Sequence, residues 1–324
     1  MILAKAFCIA MYEEMGADPK VICIGEDIGK RGGCWMNFTG LLDTFGENRV
    51  LEMPLAEMGY SYFAVGAALE GYRPIVEYMF ADFSTLGYEA IVDMAAKIRY
   101  NSGGITSCPI TFVLPHGGGG RSGCHHQQSV EAWFTNVPGI KIVAPTTPAD
   151  VRAYYRAAIR DDDPTLFIYQ RALLYDREEE VPDKLDVVPS LKNAGKIVKE
   201  GKDLTIVAYH RALYNAIDAA AEVEKETGKS IEIIDPRVLI PFDKEKVFAS
   251  VKKTGRLFVT HEAPERGGFS AQIVSWVAEN CQSSLKAAPV RVCGANGIIP
   301  FGELEDYLYP SKADIKAGIL KALA

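Results

Sequence analysis

Short runs dominated by apolar and β-branched residues recur along the chain. Between them lie longer stretches in which apolar side chains return every third or fourth position. "VICIG" (21–25), "PIVEYM" (74–79), "PITFVL" (109–114), "KIVAP" (141–145) and "TLFIYQ" (165–170) have the pattern of strands buried on both faces. The clearest helical stretch is 84–100, where Ile91, Met94, Ala95 and Ile98 keep the i, i+3, i+4, i+7 spacing of a core-facing stripe. This alternation of strand and helix predicts a parallel sheet covered on both faces.

The pattern breaks at "YDREEEVPDKLDVVPS" (175–190), which is charged, carries two prolines and keeps no period. It reads as a linker with room for a short hairpin. A second αβ series then starts at "LTIVAY" (204–209) and continues through "IEIID" (231–235), "RLFVTHE" (256–262) and "VRVCG" (290–294). The fold class expected is therefore α/β, with two parallel-sheet domains over residues 1–190 (linker included) and 191–324.

The 324 residues suffice for two domains of ordinary size. A net charge of -7 without a Lys/Arg-rich stripe argues against a nucleic-acid surface. No apolar run reaches the length of a membrane span. The N-terminal "MILAKAFCIAMYEEMGADPK" lacks a basic start, and Glu13 and Glu14 interrupt it, so it reads as an amphipathic helix rather than a signal peptide. Seven scattered cysteines, with no CxxC pair, exclude a zinc knuckle and suit reduced thiols in a cytoplasm.

Two stretches carry candidate chemistry. "PHGGGGRSGCHHQQS" (115–129) places Gly118, Gly120 and Gly123 in GxGxxG spacing after a strand. A dinucleotide fingerprint needs a helix to open within the motif and an acid about 20 residues later, and neither is present. No Gly-Lys-Ser/Thr closes a phosphate loop. Adjacent His125 and His126 have no acid or cysteine at helical spacing to complete a metal site. A glycine-supported loop carrying imidazoles suits proton transfer or an anionic substrate; surface histidines without a role suit it equally. In "EMPLAEMGYSYFAVGAALEG" (52–71), Glu57 stands at the mouth of a helix rich in Gly, Ala and Ser. An acid in a first helical turn favours the macrodipole and needs no function.

Taken together, these stretches resemble the beta subunit of the thiamine-diphosphate-dependent decarboxylase component of 2-oxo acid dehydrogenase complexes, a group that includes the pyruvate, branched-chain and acetoin enzymes. The resemblance runs through "GEDIG" (25–29), "GLLDTFGENRV" (40–50), "PLAEMG" (54–59), "GYRPIVEYMFADF" (71–83) and "AAKIRYNSGG" (95–104). It continues through "HQQSVEAWFTNVPGIKIVAPTTPAD" (126–150), "AIRDDDP" (158–164), "IDPRVLIPFD" (234–243) and "VKKTGRLFVTHEA" (251–263), nearly the whole chain in order. It implies a transketolase-like pyrimidine-binding domain followed by a transketolase C-terminal-like domain.

The family's glutamate at the position of Glu57 hydrogen-bonds the aminopyrimidine ring of thiamine diphosphate. Proton exchange there gives the imino tautomer that activates the thiazolium. The resemblance thus implies a catalytic Glu57 with a raised pKa, and a catalytic His126 near the reacting carbons. It also implies a pyrimidine pocket lined by Leu55, Phe80 and Phe83. A potassium ion held near Ile110, Ala158, Asp161 and Asp163 is the weakest transfer, since carbonyl ligands leave little trace in sequence. The Gly-Asp-Gly motif that grips magnesium and the diphosphate in thiamine enzymes does not occur. An alpha subunit is therefore expected to supply that half of the site, in an α2β2 heterotetramer serving a lipoyl acyltransferase core.

Departures cluster near the pocket. Glu52-Met53-Pro54 replaces the usual Asp-Thr-Pro, Met79 a Gln, His126-Gln127-Gln128-Ser129 a His-Ser-Gln-Ser, and Val113 an Arg. They leave open which 2-oxo acid or acyloin is the substrate. Two other readings stay beside this one: the C-terminal half of a split transketolase, and a non-catalytic scaffold subunit anchoring the acyltransferase core.

Overall fold

A computed structural model describes residues 1–183, 185 and 187–324. The chain divides into two compact units. The first comprises Met1–His116, Phe134–Val143 and Thr147–Leu191; the second comprises Gly117–Trp133, Ala144–Thr146 and Lys192–Ala324.

Six parallel strands build the sheet of the first unit: β1 (Val21–Gly25), β2 (Val50–Glu52), β3 (Arg73–Glu77), β4 (Thr111–His116), β5 (Lys141–Val143) and β6 (Thr165–Gln170). They lie in the order β5-β6-β4-β3-β1-β2. The helices of this part of the chain are α1 (Leu3–Ala17), α2 (Leu41–Phe45), α3 (Glu57–Leu69), α4 (Ile98–Asn101), α5 (Glu131–Phe134) and α6 (Pro148–Arg160). Pro148 occupies the first turn of α6, and the Thr147 side chain accepts from the Asp150 N–H, so the start of that helix is defined locally.

The N-terminal stretch is the expected helix, α1. It buries Phe7, Ala10, Met11 and Met15, and Phe7 meets Tyr155 and Phe167 edge-on at 5.0 and 5.5 Å between centroids. The acids that interrupt its apolar run have a structural use. Buried Glu14 accepts from Arg156 Nε at 2.8 Å and Arg160 Nε at 2.7 Å on α6, while Glu13 pairs with Arg152. Removing one partner of such a buried pair typically costs about 3–5 kcal/mol.

Between 84 and 100 the chain is not one α-helix. A 3-10 turn (Ala81–Thr85), a π-helical turn (Ala90–Ala95) and the short α4 follow one another. The wider π turn advances the buried face, so Ile91, Ala95 and Ala96 are inside while Met94 is exposed. Within 175–190 no strand occurs among the described residues; Lys184 and Asp186 lie outside them. Part of this segment is tied down, because Arg152 donates to the carbonyls of Pro182 and Asp183 and Arg156 to that of Leu185.

The second unit contains β7 (Lys196–Lys199), β8 (Leu204–Ala208), β9 (Ile231–Asp235), the short β10 (Val238–Ile240), β11 (Leu257–Pro264) and β12 (Val290–Gly294). Its five-stranded sheet has the order β12-β11-β8-β9-β7. Every pairing is parallel except that of the edge strand β7, which runs antiparallel to β9, so this sheet is mixed rather than purely parallel. The helices α7 (Arg211–Thr227), α8 (Lys244–Thr254), α9 (Phe269–Cys281) and α10 (Lys312–Leu323) complete the unit. Leu204, Ile206 and Ile233 of the sheet pack with Leu213, Ala216 and Val223 of α7 and with Ile315 and Ile319 of α10. Among the described residues no helix is long and apolar enough to cross a membrane. All seven cysteines are free thiols.

Candidate functional site

In an open parallel sheet, ligands gather beyond the carboxyl ends of the strands. In the first unit the neighbours β3, β1 and β2 end at Glu77, Gly25 and Glu52. The residues that follow are Met79 and Phe80 after β3, Glu26 after β1, and Leu55 and Glu57 after β2. Topology thus gathers three of the predicted pocket residues, together with a second acid, at one edge of the sheet.

Glu57 opens α3 and is 7% exposed. Its turn is anchored from beneath: the Ser61 hydroxyl donates to the Glu57 carbonyl and lies 2.6 Å from the Tyr78 hydroxyl. Gly87 makes room for that pair. A Cβ there would stand 2.1 Å from Tyr78 Oη and 2.6 Å from Ser61 Oγ, a clash that no side chain could meet without displacing the anchor.

Two further acids at this edge have strongly shifted proton affinities. Burial pushes Glu26 up to about 7, and the neighbouring Glu57 adds to the rise while the Tyr60 hydroxyl partly offsets it. Neither carboxylate oxygen of Glu26 reaches a partner at ordinary hydrogen-bond geometry. Near neutrality Glu26 therefore exchanges between its protonated and ionised forms beside Glu57, where an ordinary carboxyl would be ionised. Glu77 is fully enclosed, and burial takes it to about 8 in spite of hydrogen bonds from Asn37 Nδ2 at 2.6 Å and Tyr169 Oη at 3.4 Å.

A carboxyl whose affinity rises on folding stabilises the native state most at low pH. Between its ordinary 4.5 and about 8, the folded chain holds a proton that the unfolded chain has released, so stability falls as pH rises. Glu77→Gln keeps an oxygen for Asn37 and Tyr169 without the titration. It is expected to remove that decline, which is on the order of 5 kcal/mol, so that the variant is the more stable protein above pH 8. Denaturant midpoints across the interval test this; an unchanged slope would show that Glu77 is not its source.

Leu55 is 79% exposed. Phe80 and Phe83 are half-buried and meet edge-on at 5.7 Å. The Trp35 ring also stands edge-on to Phe80, and the Arg171 guanidinium lies 5.0 Å from the centre of each of these two rings. These contacts fix the Phe80 ring from the protein side. Along α3, Met58, Tyr62, Phe63 and Leu69 form an exposed apolar face. Gly66 shares that face, and apart from its chain neighbours and its own helix backbone no described atom lies within 4 Å of where its Cβ would be.

The histidine loop belongs to the second unit. His125 is exposed and lies 3.6 Å by Nδ1 from Cys124 Sγ, whereas His126 is half-buried and its N–H donates to the Gly123 carbonyl. His125, not His126, lines a cavity of about 330 Å³ shared with Trp133, Glu262, Ile298 and Tyr309. The glycines are explained by aromatic neighbours. A Cβ on Gly118 would come within 2.3 Å of the Tyr309 ring, and one on Gly123 within 2.6 Å of the Phe301 ring.

The four positions where a potassium ion was expected come together, but their acids have cationic partners. Lys141 Nζ stands 2.6 Å from Asp161 and 3.3 Å from Asp163, and Arg99 also pairs with Asp163. Burial alone would raise the Asp163 carboxyl; Arg99 and Lys141 more than reverse that and hold it low. The carbonyls of Ile110 and Ala158 accept the N–H groups of Thr165 and Asp161. A lysine and an arginine already neutralise these carboxylates, so the side chains present do not fit a further cation. Among the described residues no cluster of three His, Cys, Asp or Glu side chains forms a metal site.

Glu26 lies within "GEDIG", which by itself carries no mark of a site. The usable signal was its place, an acid immediately after a parallel strand. The partners of the histidine loop described below left no local signal, since they lie far away along the chain.

Comparisons with known proteins show the family and the fold. The transketolase pyrimidine-binding domain family matches residues 1–176, and the transketolase C-terminal domain family matches residues 193–315. The 2-oxoisovalerate dehydrogenase subunit beta of Bacillus subtilis (strain 168) is 39% identical over 294 residues, covering 91% of this chain and 89% of that protein. The pyruvate dehydrogenase E1 component subunit beta of the same bacterium is 35% identical over 323 residues, covering 100% of this chain and 98% of its own. The corresponding subunit of Staphylococcus aureus (strain Mu50 / ATCC 700699) is 36% identical, covering 97% and 96%. A solved structure described as a split gene transketolase, inactive beta4 tetramer, superposes with a TM-score of 0.79 at 24% identity, covering 100% of this chain and 98% of that one, which shows a shared fold. This chain belongs to the family of beta subunits of the first, thiamine-diphosphate-dependent component of 2-oxo acid dehydrogenases.

Proposed function

We propose that this chain, together with an alpha subunit, decarboxylates a 2-oxo acid or cleaves an acyloin and transfers the acyl group to a lipoyl carrier. The observation that carries the reading is the pair of buried acids, Glu57 and Glu26, at the edge of β3-β1-β2, with Leu55 exposed beside them. The residues fit the pyrimidine half of thiamine diphosphate: an acid for a ring nitrogen, half-buried aromatic side chains to flank the ring, and orphaned Glu26 oxygens inside the site. When bound, the cofactor supplies an electron sink for cleaving the bond next to a carbonyl. Glu57 would hold and return a proton at the ring nitrogen. Glu26, whose proton affinity is raised to about 7, would limit the second negative charge beside it. Leu55, Phe80 and Phe83 would orient the ring and exclude water, and His126 would serve the acyl transfer.

An alpha subunit is called for on two grounds. The chain has no Gly-Asp-Gly to hold magnesium and the diphosphate. The exposed face of α3 also contains Gly66, and an interior helical glycine is roughly 1 kcal/mol less favourable than alanine. With no neighbour in the chain to require it, that glycine suits close approach by another subunit, here within an α2β2 heterotetramer attached to a lipoyl acyltransferase core. No step is assigned to a potassium ion. A cytoplasmic setting suits the free thiols. A scaffold subunit would have no use for the buried acid pair, and a neighbouring acyltransferase gene separates this reading from a split transketolase.

Two measurements test the proposal. The co-expressed complex should reduce a dye acceptor with at least one 2-oxo acid or with acetoin. Calorimetry on the purified chain alone should show weak thiamine diphosphate binding, because ring contacts remain while the magnesium and diphosphate ligands are missing. Tight magnesium-dependent binding without a partner would mean that a complete site lies within this chain.

A further inference from the structure

Buried carboxylates hold the four-glycine loop to its unit: Glu262 accepts the Gly118 N–H at 3.3 Å, and Glu305 reaches further into the loop. Glu305, 1% exposed, sits on a 3-10 turn (Gly302–Tyr307) far along the chain. One of its carboxylate oxygens accepts the Gly119 N–H and the other accepts from the Gln127 side-chain Nε2. Gln127 is fully buried, and its Oε1 accepts from the Ser122 N–H at 3.0 Å and the Ser122 hydroxyl at 3.2 Å. The Tyr309 hydroxyl donates to the Gln127 carbonyl at 2.8 Å. The residue next to His126 is thus fixed through both ends of its amide and through its backbone oxygen.

From this geometry we infer that Glu305, acting through Gln127, is a positioning residue for the His126 imidazole; the inference rests on the proposed role of His126. A glutamine side chain is needed because it presents a donor to Glu305 and an acceptor to Ser122 at once, which the hydroxyl usual at this position in the family is too short to do. Charge-assisted hydrogen bonds to an ionised acceptor are about twice as strong as neutral ones. In a buried network, loss of one member leaves the others unsatisfied. The loop's glycines suit this clamp and not a phosphate, since they admit the rings of Tyr309 and Phe301 at close range.

The test combines proteolysis with kinetics on the co-expressed complex. Arg121 is exposed at the loop tip with φ +53°, and its carbonyl accepts from the Gly302 N–H. In Glu305→Gln the new amide presents N–H groups to a site built for an acceptor. Trypsin should then cut after Arg121 at least about tenfold faster, giving fragments 1–121 and 122–324. Turnover with the lipoyl acceptor should fall by roughly tenfold to a hundredfold in kcat, with KM for the 2-oxo acid changed far less, as expected for a misplaced group. Gln127→Leu, which removes the amide at similar volume, should give the same two changes, and the double variant should be no worse than the worse single one. It also serves if Glu305→Gln fails to fold. Wild-type cleavage and kcat in a folded Glu305→Gln or Gln127→Leu complex would overturn the clamp. A silent His126→Ala in the same assay would instead overturn the role of the imidazole itself, so the two failures are distinguishable.

Discussion

Glu57→Gln is expected to lower turnover by on the order of 10²–10⁴-fold, the range for loss of a positioned acid–base group, while the complex still assembles. Glutamine matches glutamate in shape, so α3 should keep its anchor from Ser61 to Tyr78. What disappears is the exchangeable proton. The amide can still hydrogen-bond a ring nitrogen but cannot pass it a proton, so cofactor binding should survive better than activity. The substitution also removes the charge that helps to raise Glu26, so Glu26 should titrate at lower pH in the variant. Size-exclusion of the complex, calorimetry with thiamine diphosphate and dye-linked turnover, made on one preparation, separate these effects. Wild-type turnover with the cofactor normally bound would remove Glu57 from the mechanism.

The contrast between α3 and the histidine loop shows what a sequence can carry about such a site. The strands Val21–Gly25, Thr165–Gln170 and Ile231–Asp235 coincide with runs read directly from the chain, because every residue in them is buried and apolar or β-branched side chains dominate them. The segment 84–100 misled for a related reason. Its apolar residues satisfy a helical stripe, but the period of a π turn differs too little over six residues to be seen among them. The edge strand β7 has only partly buried side chains and so lacked the signal that marked the central strands.

Site residues were legible unevenly. Physical chemistry alone left Glu57 as an acid at a helix start, a position the macrodipole favours without any function. Its significance came from resemblance, and the structure adds burial and a second buried acid. Glu26 shows why the pair escaped notice: proton affinity depends on desolvation and on a neighbour that is distant in sequence but adjacent through the β1–β2 pairing. The Glu305–Gln127 contact is more remote still, joining positions 178 residues apart. In the sequence, the Gln127 departure bears only on the choice of substrate.

The adjacent histidines give the sharpest test of the loop. His126→Ala is expected to cut acyl transfer to the lipoyl carrier by on the order of 10²-fold or more, with part of the dye-linked decarboxylation surviving. On the proposed reading the imidazole belongs to the transfer half of the reaction, whereas Glu57 would serve the cofactor. His125→Ala should change either rate only a few-fold. Its ring is exposed and rests near Cys124, while His126 sits beside the buried, fully engaged Gln127, the arrangement expected of a group whose position matters. The cavity lined by His125 and Trp133 makes the opposite outcome a real alternative. If the lipoyl arm or the substrate entered that cavity, His125→Ala would be the damaging change and His126→Ala the silent one. Both variants assayed with both acceptors decide between them: a loss confined to His126 and to the lipoyl acceptor supports the assignment, and a loss confined to His125 moves the catalytic imidazole by one residue.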